Sequence, residues 1–243
     1  MHTSSLRSLL SIVKTPISTA YTRPCARLLS NMTDAAAAPQ RRLKNPAVFV
    51  CDLQEKFRNA IYEFDKVVLT AQKVLRAAQA LQIPIYATTQ NRARLGNTVS
   101  ELEPYLSSPL CKFHVDKTLF SMITPTISSH LTTTQPPAEI VIVGIESHIC
   151  VTQTALDARR AGHRVYVLAD GVSSCNREEV PVALDRLRAE GVVVTTSEGW
   201  LYECVGDAGI AEFRDVIGIV KDTSADTRTV LQALVPVPGA AKF

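Results

Sequence analysis

Three residues of this 243-residue chain, Asp52, Lys117 and Cys150, have side chains that together suit nucleophilic chemistry. Cys150 comes just before a helically spaced run that stops at Gly162, and the positive end of a helix dipole favours the reactive thiolate form of cysteine. Asp52 could take the thiol proton, and Lys117 could stabilise both the carboxylate and the developing thiolate. The alternative is that Cys150 is a small buried side chain that fills a gap in the core.

The reaction that these residue types suit is acyl transfer. Cys150 would attack a carbonyl carbon, and water would then hydrolyse the resulting thioester. Backbone N–H groups in the turn of residues 146–150 could bind the oxyanion that forms during the attack.

The elements that must position these residues alternate between strands and helices. Apolar stretches typical of buried parallel strands occupy residues 47–51, 83–89, 111–115, 140–145, 164–169 and 192–196. Helices are predicted over residues 65–81, 118–131, 152–161, 177–190, 198–204 and 209–221. This alternation predicts a parallel sheet with helices on both faces, whose active crevice lies at the carboxyl ends of the strands. Because Asp52, Lys117 and Cys150 all fall near such ends, the nucleophile is favoured over the core thiol.

Composition is ordinary for a globular protein, with 46% apolar and 20% charged residues. No apolar run approaches the roughly 18 residues that a bilayer crossing needs, so no membrane partner is expected. Residues 1–46 hold seven basic residues and one acidic residue, which leaves 19 basic and 22 acidic residues in the remainder. The net charge is therefore +6 in the first part and −3 in the body, and the body has no charge-driven attraction to nucleic acid.

The first 33 residues are rich in Arg, Ser and Thr and contain no acidic residue, a composition typical of a mitochondrial targeting segment. The alternatives are a disordered N-terminus or an extension that a start at Met32 would skip, which would leave the protein cytoplasmic rather than in the mitochondrial matrix. Residues 34–44 are predicted to be a linker, residues 45–221 the domain, and residues 222–243 a loose tail. The six cysteines form no close pair, which suggests free thiols in a reducing compartment.

Five ordered segments carry a resemblance to a known family. They are VFVCDLQEKF at 48–57, TTQ at 88–90, FHVDKTLFSM at 113–122, VGIESHICV at 143–151 and ADGVSS at 169–174. They span about residues 45–205 and resemble the isochorismatase-like cysteine hydrolase family, in particular its eukaryotic isochorismatase domain-containing branch.

This resemblance implies an Asp52–Lys117–Cys150 triad and a cis peptide bond between Ile145 and Glu146, which would aim the Glu146 and Cys150 amides at the oxyanion. It also implies a three-layer fold with a six-stranded parallel sheet of order 3-2-1-4-5-6. Members usually assemble as dimers or tetramers, so a homo-oligomer is expected.

Two departures from the family patterns narrow the activity that the resemblance implies. Isochorismatases that cleave the vinyl ether generally lack the cysteine, so Cys150 argues for a small amide or carbamoyl substrate. Nicotinamidases carry an Asp-x-His and a further His as metal ligands, and this chain has no Asp-x-His. No metal or other cofactor is therefore expected.

The substrate pocket is predicted to include Gln54, Phe57, Gln90, Phe120 and Ile145. A solvent-facing position remains an alternative for Gln54, and core packing for the two phenylalanines. Two other functions stay open. One is a non-enzymatic family member that binds a metabolite or a protein, and the other is a redox-sensing thiol with Cys175 as its resolving partner.

Overall fold

Six parallel strands form one sheet within residues 40–133 and 137–235, which are the residues that the computed structural model describes. The strands are β1 Pro46–Cys51, β2 Ile85–Gln90, β3 Cys111–Lys117, β4 Glu139–Ile145, β5 Arg164–Ser173 and β6 Val193–Thr195. Their order across the sheet is β3-β2-β1-β4-β5-β6. The predicted fold class, strand number and strand order are therefore confirmed.

Helices cover both faces of this sheet. They are α1 Phe64–Ala80, α2 Arg92–Leu95, α3 Glu103–Leu106, α4 Pro125–Thr132, α5 Thr152–Arg160, α6 Glu179–Ala189, α7 Ser197–Val205, α8 Phe213–Asp222 and α9 Ser224–Leu234. Helices α1, α7, α8 and α9 pack on one face, and α4, α5 and α6 on the other. Alternate residues of β1 enter the two cores, with Val48 and Val50 on the first face and Phe49 and Cys51 on the second.

Strands β1 and β4 lie very close together at Gly144, whose partner across the ladder is Cys51. Gly144 has a φ of 124°, a conformation that residues with a Cβ rarely adopt. A Cβ at this position would lie 2.1 Å from the carbonyl oxygen of Cys51. Glycine is required here because the two strands that carry Asp52 and the Cys150 turn at their ends meet at this point.

The carboxyl-terminal prediction is wrong for residues 224–234, which form α9 rather than part of a loose tail. Thr227, Val230 and Leu234 are buried on one side of α9, and Lys73 of α1 donates a hydrogen bond of 2.9 Å to Thr227 Oγ1. Three buried positions are enough to hold this helix against α1, although its remaining surface is largely polar. Residues 236–243 lie outside the described residues.

The amino-terminal predictions fall mostly outside the described residues, which exclude the predicted targeting segment 1–33 and residues 34–39 of the predicted linker. The rest of the linker, residues 40–44, is already part of the compact unit Ala38–Phe243. Leu43 is buried in the core, and Arg41 donates a hydrogen bond of 2.6 Å to the carbonyl oxygen of Leu81. These contacts correct the prediction that residues 40–44 are a free linker.

One helix boundary matters for the site. The helix predicted over residues 118–131 begins only at Pro125, where Thr124 Oγ1 accepts a hydrogen bond from the Ile127 N–H and proline occupies the first turn. Residues 118–124 instead form a loop after β3.

In residues 40–133 and 137–235, every helix falls short of the length and apolarity that crossing a bilayer requires.

Candidate active site

Asp52 and Lys117 form a buried ion pair at the carboxyl end of the sheet. Asp52 directly follows β1, and Lys117 is the last residue of β3, two strands away. The lysine side chain spans the end of β2 and brings its Nζ to 2.7 Å from Asp52 Oδ2. The two side chains are only 1% and 2% exposed. The sheet order therefore brings together two residues that lie 65 positions apart in the chain.

All three N–H donors of Lys117 are used within the protein. Besides Asp52, they reach Gln90 Oε1 at 2.7 Å and the carbonyl oxygen of Phe120 at 3.1 Å. Burial favours the neutral amine, but attraction to the Cys51, Asp52 and Cys150 groups outweighs it and raises the pKa of Lys117. Lys117 is therefore a fixed cation that orients Asp52 and the loop after β3.

Asp52 is held from a second side by Thr88, whose Oγ1 donates a hydrogen bond of 2.8 Å to Asp52 Oδ1. Thr88 reaches it because β2 pairs with β1 and sets Thr88 opposite Cys51. Asp52 has a φ of 51°, in the left-handed region that aspartate tolerates better than most residues. Its turn ends β1 and directs the carboxylate towards Lys117.

Two thiols meet beside this ion pair. Burial, a hydrogen bond with the Cys150 thiol and the charge of Asp52 raise the pKa of Cys51 well above its usual value. Cys51 is completely buried, and its Sγ lies 3.7 Å from Asp52 Oδ2. Cys51 therefore stays protonated, whereas Cys150 is slightly exposed and reaches a cavity.

Cys150 lies near the start of a continuous helical segment. The π-helical turn Ser147–Val151 leads directly into α5, and the N–H groups of Ile149 and Val151 both donate to the Glu146 carbonyl at 3.1 Å. Thr154 Oγ1 also donates to the Cys150 carbonyl at 2.6 Å. The thiol is thus held at the positive end of a helix dipole.

The turn before Cys150 is anchored to the segment that follows β5. The peptide bond between Ile145 and Glu146 is cis, as the family resemblance implies. Glu146 Oε2 accepts a hydrogen bond of 2.8 Å from the Cys175 N–H, and His148 Nδ1 lies 2.9 Å from Ser174 Oγ. These contacts fix the turn that precedes Cys150.

A cavity of about 180 Å³ opens above Cys150. It is lined by Asp52, Phe57, Gln90, Leu95, Phe120, Ile145, Glu146, Ile149 and Cys150. The cavity thus brings together Asp52, Cys150 and four of the five residues that were predicted for the pocket. Lys117 lies beneath it as the partner of Asp52.

Gln54 requires a correction, because it is not among the residues that line the cavity. It is completely buried, and both ends of its amide bind the backbone. Its Nε2 donates to the Gly96 carbonyl at 2.7 Å, and its Oε1 accepts from the Gln90 N–H at 2.7 Å. Gln54 therefore fixes the end of α2, which carries Leu95, against the end of β2.

Three residues at the site, Thr88, Leu95 and Ile149, were not predicted from the sequence. Thr88 had a usable signal, since it lies near the end of the predicted strand 83–89, beside the strand that Asp52 follows. Leu95 and Ile149 had no sequence signal beyond their nearness to other site residues.

Within the part of the chain that the structure describes, no three His, Cys, Asp or Glu side chains are grouped so that they could hold a metal ion.

Residues 46–199 match the family model described as the isochorismatase domain. Isochorismatase domain-containing protein 2 of Xenopus laevis is 38% identical over 184 residues, which cover 76% of this chain and 87% of that protein. The secreted isochorismatase effector Isc1 of Phytophthora sojae is 38% identical over 176 residues, 72% of this chain and 84% of that protein. Among solved structures, the MAR1 ribonuclease of Caenorhabditis elegans is similar, with a TM-score of 0.67 and 31% identity, and the match covers 85% of this chain and 97% of that chain.

Proposed function

Because this chain belongs to the isochorismatase-like hydrolase family, we propose that it is a cysteine hydrolase that cleaves a small amide or carbamoyl compound through an acyl group on Cys150. The observation that carries the proposal is the buried Lys117–Asp52 ion pair beside a cysteine that reaches a cavity. A buried ion pair of this kind costs desolvation free energy and is weak evidence for stability by itself. Its position against a thiol at a helix start is what favours a role in catalysis.

The proposed reaction begins when Asp52 takes the proton of the Cys150 thiol. The thiolate attacks the carbonyl carbon, and the N–H groups of Glu146 and Cys150 bind the oxyanion. The tetrahedral intermediate expels the amine, which takes the proton from Asp52, and leaves a thioester on Cys150. Water, deprotonated by Asp52, then attacks the thioester, releases the acid and returns the thiol.

Each supporting residue has a role in this scheme. Lys117 and Thr88 hold the Asp52 carboxylate, whose oxygens keep lone pairs free for a proton. The helix dipole at Ser147–Val151 stabilises the thiolate. The scheme uses these groups alone and requires no metal ion or cofactor.

The test is a screen of small amides, ureas and carbamoyl compounds, with mass spectrometry to trap an acyl adduct on Cys150. Cys150→Ala and Cys150→Ser should abolish hydrolysis, and Asp52→Asn or Lys117→Met should nearly do so. Cys111→Ala, a half-buried thiol at the start of β3, is the matched control and should keep full activity. Full turnover by a folded Cys150→Ala protein would refute the mechanism.

The same variants separate a hydrolase from a non-enzymatic binding protein. A small thiol-directed electrophile should label Cys150 faster than the other cysteines, and Lys117→Met should remove that advantage. Uniform slow labelling of all the thiols would favour a binding role.

We also propose that the chain is imported into mitochondria and forms a homo-oligomer, either a dimer or a tetramer. Import is supported by the acid-free, Arg-rich composition of residues 1–33. N-terminal sequencing of the native protein tests it, and an intact Met1 or a start at Met32 would count against a cleaved targeting segment. Assembly is supported by the family resemblance, since members usually form dimers or tetramers, and is tested by light scattering of the purified protein.

A further inference from the structure

The cavity above Cys150 is lined by apolar and acidic groups. Five of its lining residues are apolar side chains: Phe57, Leu95, Phe120, Ile145 and Ile149. Two others, Asp52 and Glu146, carry carboxylates, and none of the described residues that line it is Lys, Arg or His. A substrate that carried a carboxylate would therefore find no cation on these walls.

Lys117 is the cation that pairs with Asp52 of the cavity wall, but it is not available to a ligand. Its three N–H donors bind Asp52, Gln90 and the Phe120 carbonyl, so a substrate carboxylate would have to displace one of them. Its charge is also balanced by Asp52 at 2.7 Å. The ion pair as a whole therefore attracts an anion only weakly.

Glu146 differs from Asp52 because its carboxylate is held by uncharged donors. Its Oε2 accepts from the Cys175 N–H at 2.8 Å, and the Cys175 thiol is hydrogen bonded to the same side chain. Arg94 lines an adjoining surface depression, which shares Gln90 and Leu95 with the cavity, but Arg94 is not among the residues that line the cavity itself. Glu146 thus places a negative charge beside the cavity, and among the described residues it forms no salt bridge.

We infer that this cavity selects a small uncharged amide with an apolar body and excludes acyl groups that carry a carboxylate, an inference that rests on the hydrolase proposed above. Burying an unpaired carboxylate among apolar walls is costly, and repulsion from Glu146 adds to that cost. The volume of about 180 Å³ equals that of about six water molecules, which suits a short branched chain or a single ring.

The test compares the alkylation of Cys150 by iodoacetamide and by iodoacetate, which are nearly equal in size and differ in charge. Both form a bond from Sγ to the methylene carbon and release iodide, and both need the same thiolate. The ratio of the two rate constants is therefore independent of how much thiolate is present. Mass spectrometry of the peptide that contains Cys150 separates it from the other cysteines.

The expected ratio of the iodoacetamide rate to the iodoacetate rate at Cys150 is at least tenfold higher than the ratio for N-acetylcysteine at the same pH. Glu146→Gln keeps the side-chain size and should lower the ratio at least threefold. Arg94→Met is the matched control on the neighbouring depression and should leave the ratio within twofold. A wild-type ratio at or below that of N-acetylcysteine would overturn the inference, as would a ratio that Glu146→Gln leaves unchanged.

Turnover gives a second measurement that separates this inference from the proposed function. Butyramide and succinamate are matched amides, one neutral and one anionic, and kcat/KM should favour the neutral amide at least tenfold. Faster hydrolysis of succinamate would overturn the selectivity while leaving the hydrolase intact. A high alkylation ratio without an acyl adduct from any amide would instead refute the hydrolase and leave the charge selectivity of the cavity standing.

Discussion

Replacing Lys117 with Met should destabilise the folded protein by about 3–5 kcal/mol, because it leaves Asp52 as a buried carboxylate without a counter-ion. Both side chains are almost completely buried, at 1% and 2% exposure, so little water reaches the carboxylate to take the place of the ammonium group. Thr88 would remain as a donor to Asp52 Oδ1, but one hydrogen bond to a charged group contributes only about 1.5–3 kcal/mol.

Urea denaturation measures this loss. With a slope of about 2–3 kcal/mol per molar urea for a domain of this size, the unfolding midpoint should fall by about 1–2.5 M. The double variant Asp52→Asn/Lys117→Met removes both charges and should recover at least about 2 kcal/mol of the loss, since contacting charges couple strongly. It should remain inactive, which separates stability from catalysis.

An exposed ion pair provides the control. Arg188 and Asp185 lie 2.7 Å apart with side chains that are 52% and 76% exposed, and Arg188→Met should cost less than about 1 kcal/mol. The reasoning about Lys117 is refuted if Lys117→Met is no more destabilising than Arg188→Met, or if the double variant is no more stable than Lys117→Met.

Three further predictions concern the groups around the ion pair and in the core. Thr88→Val keeps the shape of the side chain but removes the donor to Asp52, and should cost about 1.5–3 kcal/mol in urea denaturation and lower kcat on any amide substrate that the screen identifies. Gly144→Ala places a Cβ against the Cys51 carbonyl at a positive φ, and should cost roughly 3 kcal/mol or more, seen as a lower thermal midpoint or as insoluble protein; a normal midpoint would contradict the close approach of β1 and β4. Burial raises the pKa of Cys204 from 9.0 to about 12, so the folded state keeps a proton that the unfolded state loses. Stability should therefore fall as pH rises from about 9 towards 12, and in Cys204→Ala the slope should be shallower by up to about 1.4 kcal/mol per pH unit. Urea denaturation between pH 7 and 11 measures both slopes, and equal slopes would contradict the assignment to Cys204.

The alternation of strands and helices was predictable because buried parallel strands need unbroken apolar runs, as in residues 140–143. The placement of Asp52 and Lys117 at strand ends was also predictable, since it depends only on where those runs stop. Helix α9 was missed because a helix needs only a few buried positions, and its three are separated by polar residues.

The pocket was harder to predict than the sheet because it depends on side-chain direction. Gln54 lies two residues after Asp52, which suggested a shared orientation, but Asp52 adopts a left-handed conformation that breaks the strand alternation. The reach of Lys117 across β2 to Asp52 is likewise set by register, which no local pattern encodes. The family resemblance supplied the triad that spacing alone could not select.

The position of β1 in the middle of the sheet has a consequence for how the protein folds during synthesis. Strands β1, β2 and β3 precede β4 in the chain, so the ribosome releases Asp52 and Lys117 before Cys150. Until β4 emerges, one edge of β1 can pair with no strand of its own chain and is open to association with other chains. The arrival of β4 closes that edge and brings Cys150, the proposed nucleophile, into place directly afterwards. Translation that stalled before Glu139 would therefore leave an aggregation-prone fragment rather than a partly active one.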